Sequence, residues 1–437
     1  MTFIKNFYHL ILRTFPKLFA FIYAILFSTT YKVLKKKKNK KKRILLLSRE
    51  RFREDLNLIN LSEELEFIYF TKKNMSFLTE PYVKSLRSKM NSTYWFDYKN
   101  ENFFKNYLES HTNFIFYFLK YFNYFVKFDS LVATSLWYLK DKPFEKASLK
   151  LNKKCFFLHK ENTVDKNMYT KMLKIWDKQL IKFENNCSIV VYNKNVKKLL
   201  LETQKIKNQN IYVLGCPRID ELKNFKDNKD KKNVILASFT YDLGLILFDE
   251  RGNPQRENHI SGDQNIINYF TEVHCKFIEA ASLNQNLNFI IKIKYEGIWK
   301  DRVLKIIKSV EKRIGQNIRN ISIIVNEQNL ESLLKETRLL IGVNTLSLVQ
   351  ARICGIPAVM PIFESIKKYE KYFHFHDYFN TQIIIADSPN DLMYKINKLI
   401  NKNKLFLKDN TKNFINEYFG YSDGKNTKRY VNFLLKN

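Results

Sequence analysis

Two parallel-sheet α/β domains are the fold class this sequence predicts, and three observations predict it. Short apolar runs of strand length alternate with longer helical patterns along both halves of the chain. A polar run, Lys223 to Lys232 (KNFKDNKDKK), separates the halves. The stretch Leu339 to Phe363 (LLIGVNTLSLVQARICGIPAVMPIF) condenses the pattern. There Leu339, Leu340 and Ile341 lead to Gly342, and Asn344, Thr345 and Ser347 sit where a helix begins. Leu346, Val349, Ala351 and Ile353 then follow helical spacing, Gly355 and Pro357 stop the helix, and Ala358 to Ile362 is the next buried strand. Small polar residues at the carboxyl end of a strand fit a ligand crevice, with helix N–H groups for a phosphate. They fit helix capping equally well.

Composition bounds the rest. A chain of 437 residues exceeds a usual single domain, and a hydrophobic content of 45% supplies ample core. Five cysteines (Cys155, Cys187, Cys216, Cys275, Cys354) form no CxxC and mostly lie in apolar runs, which reads as buried thiols in a reducing compartment. The formal charge is +32, and residues 1–43 hold twelve Lys/Arg and no acid. Phosphate-bearing substrates and an anionic membrane surface are compatible with that balance. No nucleic-acid-binding signature appears, so no nucleic-acid partner is expected.

In chain order, Leu18 to Phe27 (LFAFIYAILF) is an uninterrupted apolar run, and Lys35 to Arg43 holds eight basic residues in nine. An apolar helix followed by a polybasic run predicts peripheral association of residues 1–43 with the cytoplasmic face of the inner membrane. A single-span anchor and a helix packed on the protein are the alternatives. Ile44 to Ser48 and Glu66 to Phe70 are strands, and the aromatic-dense stretch Asn100 to Phe128 is core-facing helix. Ser130 to Thr134 and Cys155 to Leu158 are strands, Val164 to Phe183 is helix, and Ser188 to Tyr192 and Ile211 to Leu214 are strands. His159-Lys160-Glu161-Asn162 and Gly215-Cys216-Pro217-Arg218-Ile219-Asp220 each follow a strand. Each is either a turn or a place where polar groups converge, and Arg218 is placed to pair with Asp220 or to face a phosphate.

The second half restarts with the strand Val234 to Ala237 and a long polar loop, Ser238 to Asp263. Gln264 to Ala281 is helix, and in the strand Asn288 to Lys294 the residues Lys292 and Lys294 share one face, as a diphosphate grip requires; Glu296 follows at its exit. Ile321 to Val325 is strand, Leu330 to Glu336 helix, Ile383 to Ile385 strand, and Pro389 to Asn401 helix, before a helical terminal region to Asn437. His374 and His376 have no third spaced ligand, so no metal is expected and a ligand-lining loop is preferred. GxGxxG, Walker A, HExxH and GxSxG patterns are absent from the sequence.

Three strings carry a resemblance. IYVLGCPRID, FFLHKENTV and LLIGVNTLSLVQARICGIPAVMPIF resemble segments of GT-B-fold bacterial surface-carbohydrate biosynthesis proteins. That group is related to capsule polysaccharide transferases, CDP-glycerol glycerophosphotransferases and the UDP-N-acetylglucosamine 2-epimerase fold. The resemblance implies two Rossmann-like domains facing a cleft. On the same resemblance residues 44–222 would form the acceptor domain, 223–232 the linker and 233–405 the nucleotide-donor domain, with 406–437 packing back on the first. Two departures limit the carry-over. Gln350 replaces an acidic residue, and Lys294-Tyr295-Glu296-Gly297 stands where relatives carry His-Pro.

The expected activity is transfer from a nucleotide-activated sugar to a glycan or lipid-linked acceptor, without a cofactor. Lys292, Lys294, Asn344, Thr345 and Ser347 would hold the donor phosphates, and His159 or Glu161 would act as base. Arg218, Glu296, Gln350, His374 and His376 are further cleft candidates. A CDP-glycerol-type phosphotransferase, a sugar 2-epimerase and a non-catalytic assembly protein of the same fold are the alternatives.

Overall fold

The structure is a computed structural model that describes residues 14–47, 52–87, 101–136, 139–159, 163–165, 168–180, 182–223, 231–245, 262–293, 296–325, 330–401 and 411–437. The chain falls into two compact units. The first comprises Met1–Asn162, Leu173–Arg218 and Lys425–Asn437, the second Thr163–Met172 and Ile219–Gly424.

In the first unit the strands are β1 (Lys32–Val33), β2 (Lys42–Leu46), β3 (Leu65–Tyr69), β4 (Ser130–Ala133), β5 (Lys154–Leu158), β6 (Cys187–Val191) and β7 (Ile211–Val213). Their order across the sheet is β1-β3-β2-β4-β5-β6-β7, and β1 alone runs antiparallel to its described neighbour. Continuous apolar runs such as Cys155 to Leu158 form parallel strands because both faces of such a sheet are covered. The helix Glu101–Val126 buries Phe114, Phe118 and Phe122, and Phe118 and Phe122 pack edge-on against Phe70. The C-terminal helix Asn426–Lys436 inserts Phe433 between Phe156 and Tyr212.

Lys35 to Arg43 is largely tied down. Lys37 is buried, donating to Asn60 O at 2.7 Å and pairing with Glu63 at 3.3 Å; Lys35 also pairs with Glu63. Lys40 and Arg43 hold Glu66 at 3.1 and 2.6 Å, and Lys41 pairs with Glu64. Burial pushes the Glu66 carboxyl up, yet its bonds to Arg43 and Lys40 win and hold it below the usual range. Much of the positive run thus pairs with acids of β3 and of the turn before it.

Around Arg218 the GCPRID turn is locked from within. The guanidinium meets Asp55 at 3.1 Å and Glu54 at 2.9 Å, and the Arg218 N–H donates to Asp55 at 3.0 Å. Tyr192 OH donates to the same fully buried Asp55 at 2.8 Å. Pairing with Asp220, one of the two outcomes expected, gives way to Asp55 because that carboxylate lies buried beneath the turn.

In the second unit β8 (Asn233–Ala237), β9 (Asn288–Lys292), β10 (Ile321–Ile324), β11 (Thr337–Gly342), β12 (Ala358–Pro361) and β13 (Ile384–Ala386) form a parallel sheet ordered β10-β9-β8-β11-β12-β13. The chain builds outward from β8 to β10, then returns to β11 and builds the other way. The junction of β8 and β11 is therefore the point where strand order reverses. Among the described residues, Asp263 accepts from Asn265 N–H ahead of Gln264–Leu283, and Ser388 from Asp391 N–H ahead of Pro389–Ile400, as side-chain caps. Ile298–Ile314, unassigned from sequence, is a helix closed by Gly315 in the left-handed region. The helix expected over Val164 to Phe183 is shorter, Tyr169–Gln179, because Thr163 to Asp165 are irregular and belong to the second unit.

Candidate functional site at the strand-order reversal

Ligands of open α/β sheets bind outside the carboxyl ends of the strands where strand order reverses. In the second unit that place is set by β8, β11 and the loops leaving them. Gly342 ends β11, and a Cβ there would lie 2.8 Å from Thr345 Cγ2 and 3.4 Å from Ala237 Cβ. A side chain here would press on Thr345 and crowd the end of β8.

Two residues on, Asn344 adopts a left-handed backbone with φ 48°. Its amide does not cap the following helix. Nδ2 donates to Gly244 O at 3.2 Å, in the loop after β8, and Oδ1 accepts from His374 N–H at 2.7 Å, in the loop after β12. One buried side chain thus joins three loops. Thr345 and Ser347 are half-buried beside it, their hydroxyls 3.1 Å apart, and Ser347 N–H donates to Thr345 Oγ1 at 3.3 Å. The following helix, Ser347–Ile353, spans only seven residues.

His374 is held from a second side. Its Nδ1 pairs with Asp165, 209 positions earlier in sequence, and this carboxylate also accepts from Phe375 N–H at 3.1 Å and Tyr418 OH at 2.5 Å. Burial pushes the Asp165 carboxyl up, but His374, Tyr418 and the Phe375 N–H together hold it below the usual range. Burial and the adjacent carboxylate push the Tyr418 hydroxyl up, so it stays a donor. Phe375 itself has φ 70°, a strained conformation for a bulky residue, and its fully buried ring packs 4.8 Å from that of Tyr418.

With a carboxylate at Nδ1 the imidazole N–H is assigned to that nitrogen, which leaves the Nε2 lone pair as an acceptor. About a quarter of the His374 side chain is accessible, 25%. A base oriented by a buried acid, and tied through Asn344 to the loop that carries two hydroxyls, can act in proton transfer.

The other sequence candidates fall as follows. Lys292 is half-buried at the end of β9, opposite Ala237 in the neighbouring strand, on the same carboxyl edge of the sheet. Lys294 and Glu161 lie outside the described residues. Glu296 is exposed. Gln350 is buried and donates to Glu331 at 2.7 Å. His376 lies 3.9 Å from Glu370, a different carboxylate from the one that holds His374. Among the described residues, no cluster of three His, Cys, Asp or Glu side chains is placed to hold a metal ion. In the first unit His159 is fully buried at the end of β5, its ring edge-on to Trp176 at 5.7 Å.

Asp165, Gly244 and Tyr418 were missed as partners of the cluster. Asp165 lies just past the flagged FFLHKENTV string, but no spacing rule connects it to His374.

No protein-family model and no curated protein matches the sequence. Solved structures do match. A protein described as a UDP-N-acetylglucosamine 2-epimerase, from Listeria monocytogenes, superposes with a TM-score of 0.50 at 13% identity, over 90% of this chain and 96% of that one. The UDP-GlcNAc 2-epimerase of Methanocaldococcus jannaschii gives 0.50 at 15% identity, over 90% and 99%. The fold is shared. A glycosyltransferase from Rickettsia africae superposes more loosely, with a TM-score of 0.42 at 14% identity, over 91% and 100%. At identities of 13% and 15% the likeness to the first two speaks to fold alone.

Proposed function

We propose that this protein is a nucleotide-sugar enzyme, a GT-B-type glycosyltransferase that transfers a sugar to a glycan or lipid-linked acceptor in surface-polysaccharide synthesis. The observation that supports this reading is the tie of three loops through Asn344 at the reversal point, with His374 fixed against Asp165. A diphosphate at that edge would accept hydrogen bonds from the Thr345 and Ser347 hydroxyls and would be neutralised in part by Lys292. His374 Nε2 would take the proton that the attacking acceptor hydroxyl gives up, while the two hydroxyls and Lys292 stabilise the charge that moves onto the leaving diphosphate, the kind of preorganised stabilisation that dominates many transfer reactions. No metal takes part in this scheme.

A 2-epimerase acting on a nucleotide sugar is the second reading, favoured by the fold shared with two such enzymes. One experiment separates the two. The protein is incubated with UDP-, CDP-, GDP- and dTDP-sugars, with and without lipid-linked acceptor, and products are followed by proton NMR. Acceptor-dependent release of nucleoside diphosphate identifies the transferase, and acceptor-independent formation of the 2-epimer identifies the epimerase. Failure of folded protein to bind any of these donors would overturn both.

A further inference from the structure

The helix Pro16–Thr30 presents two faces. Ala20, Tyr23, Ala24 and Phe27 are buried, with Tyr23 and Phe27 edge-on to Phe114 and Phe118 of the helix Glu101–Val126. On the other face Leu18, Phe21, Ile22, Ile25 and Leu26 are each 40% to 56% exposed. The stripe continues onto the neighbouring helix, where Phe21 meets Tyr121 at 5.3 Å and Phe125 at 6.3 Å, and Tyr124 is 80% exposed. A contiguous apolar surface of this kind marks an interaction site.

We propose that this face docks on an anionic lipid bilayer and that apolar contact, rather than the polybasic run, supplies most of the binding. Charge selects the occupant. The helix Pro16–Thr30 carries no acidic residue and its neighbour none after Glu109, while Lys17, Lys120 and Lys127 are exposed around the stripe. A second copy docked on the same face would bring these lysines together without a counter-charge, whereas phospholipid headgroups supply one. Tyrosines beside the apolar stripe suit the headgroup boundary, where an apolar ring and a polar hydroxyl are both satisfied.

The helix lies on the membrane rather than through it. Its 15 residues reach roughly 22 Å, short of the ~30 Å hydrocarbon core, and no helix among the described residues is long and apolar enough to cross. Lys37 is buried and Lys40 and Arg43 hold Glu66, so part of the basic run is turned to the protein's own acids, while the exposed Lys35, Lys36, Lys38 and Lys41 are left to add a salt-sensitive share. The proposal does not depend on the enzymatic reading, because it concerns the first unit alone.

The test is co-sedimentation of the full chain with vesicles of equal parts phosphatidylglycerol and phosphatidylethanolamine, at low and at molar salt. Leu18→Glu/Ile22→Glu/Leu26→Glu should lower the partition coefficient by about tenfold or more. Lys36→Glu/Lys38→Glu should lower it by less than about threefold, and molar salt should leave most of the binding. Leu26→Trp, which needs no loss of fold to be informative, should raise it. Unchanged binding of the triple variant, loss of binding at molar salt, or no binding by the wild type would each overturn the proposal. So would a wild-type dimer in sedimentation velocity that the triple variant converts to monomer, which would assign the face to a second copy.

Discussion

Replacing Asp165 by Asn removes a charge around which one end of the second unit is organised. The carboxylate accepts from His374, from Phe375 N–H at 3.1 Å and from Tyr418 OH at 2.5 Å while almost wholly buried. Hydrogen bonds to a buried charged acceptor contribute about 1.5–3 kcal/mol each, and Asn keeps the acceptor on one side only. One or two of the three bonds are lost, so the expected cost is about 2–4 kcal/mol. Urea unfolding followed by circular dichroism reads this as a lower midpoint at pH 7. The dependence on pH gives a second readout. Because the folded carboxyl is held below its ordinary value, its contribution is complete above the unfolded pKa of roughly 4 and fades as pH falls through the folded value. The gap between wild type and Asp165→Asn should therefore narrow in acid. A gap below about 0.5 kcal/mol at pH 7, or one that widens in acid, would refute the reasoning.

Gly215→Ala should destabilise the first unit by about 2 kcal/mol or more in thermal or denaturant unfolding, because φ is 80° and the new Cβ would lie 2.0 Å from Asn426 Oδ1. Asp141→Asn should do the reverse at neutral pH. Burial pushes that carboxyl up to about 7, so stability falls as pH rises from roughly 4 to 7 and the amide avoids the loss, by up to about 4 kcal/mol in a pH series of melts. Arg218→Lys should cost about 2 kcal/mol in urea unfolding, since a point charge cannot reproduce the contacts to Asp55, Glu54 and the Tyr192 hydroxyl.

Much of the sheet framework was legible because parallel strands are buried on both faces and read as unbroken apolar runs. Val234 to Ala237, Ile321 to Val325 and Ser130 to Thr134 are strands to within a residue or so. Helices were harder. Lys194–Glu202, with only Val196, Leu199 and Leu200 buried, has too narrow an apolar stripe to stand out among its lysines, although Asn193 caps it at 3.0 Å from Val196 N–H. The partners of the lysine run were hidden for a different reason: its acids, Glu63, Glu64 and Glu66, arrive from the turn before β3 and from β3 itself, and only strand pairing brings them alongside.

At the candidate site the sequence marked Asn344, Thr345, Ser347 and His374 but not what joins them. The link is a left-handed Asn344 and a carboxylate 209 positions from His374, and neither leaves a local signal. Arg218 shows the converse. Its turn was legible as a turn, while its partner Asp55 came from a helix with no mark in the pattern.

Isothermal titration of UDP, CDP, GDP and dTDP into the wild type and into Asn344→Gly tests the central claim most directly. Glycine keeps the left-handed turn at little cost but removes both side-chain ties, to Gly244 O and His374 N–H. Selective binding of one nucleoside diphosphate, weakened about tenfold or more in an Asn344→Gly protein that melts within a few degrees of wild type, is the result predicted. Equal and weak response to all four nucleotides, or undiminished affinity in the variant, would contradict a nucleotide site at the junction of β8 and β11.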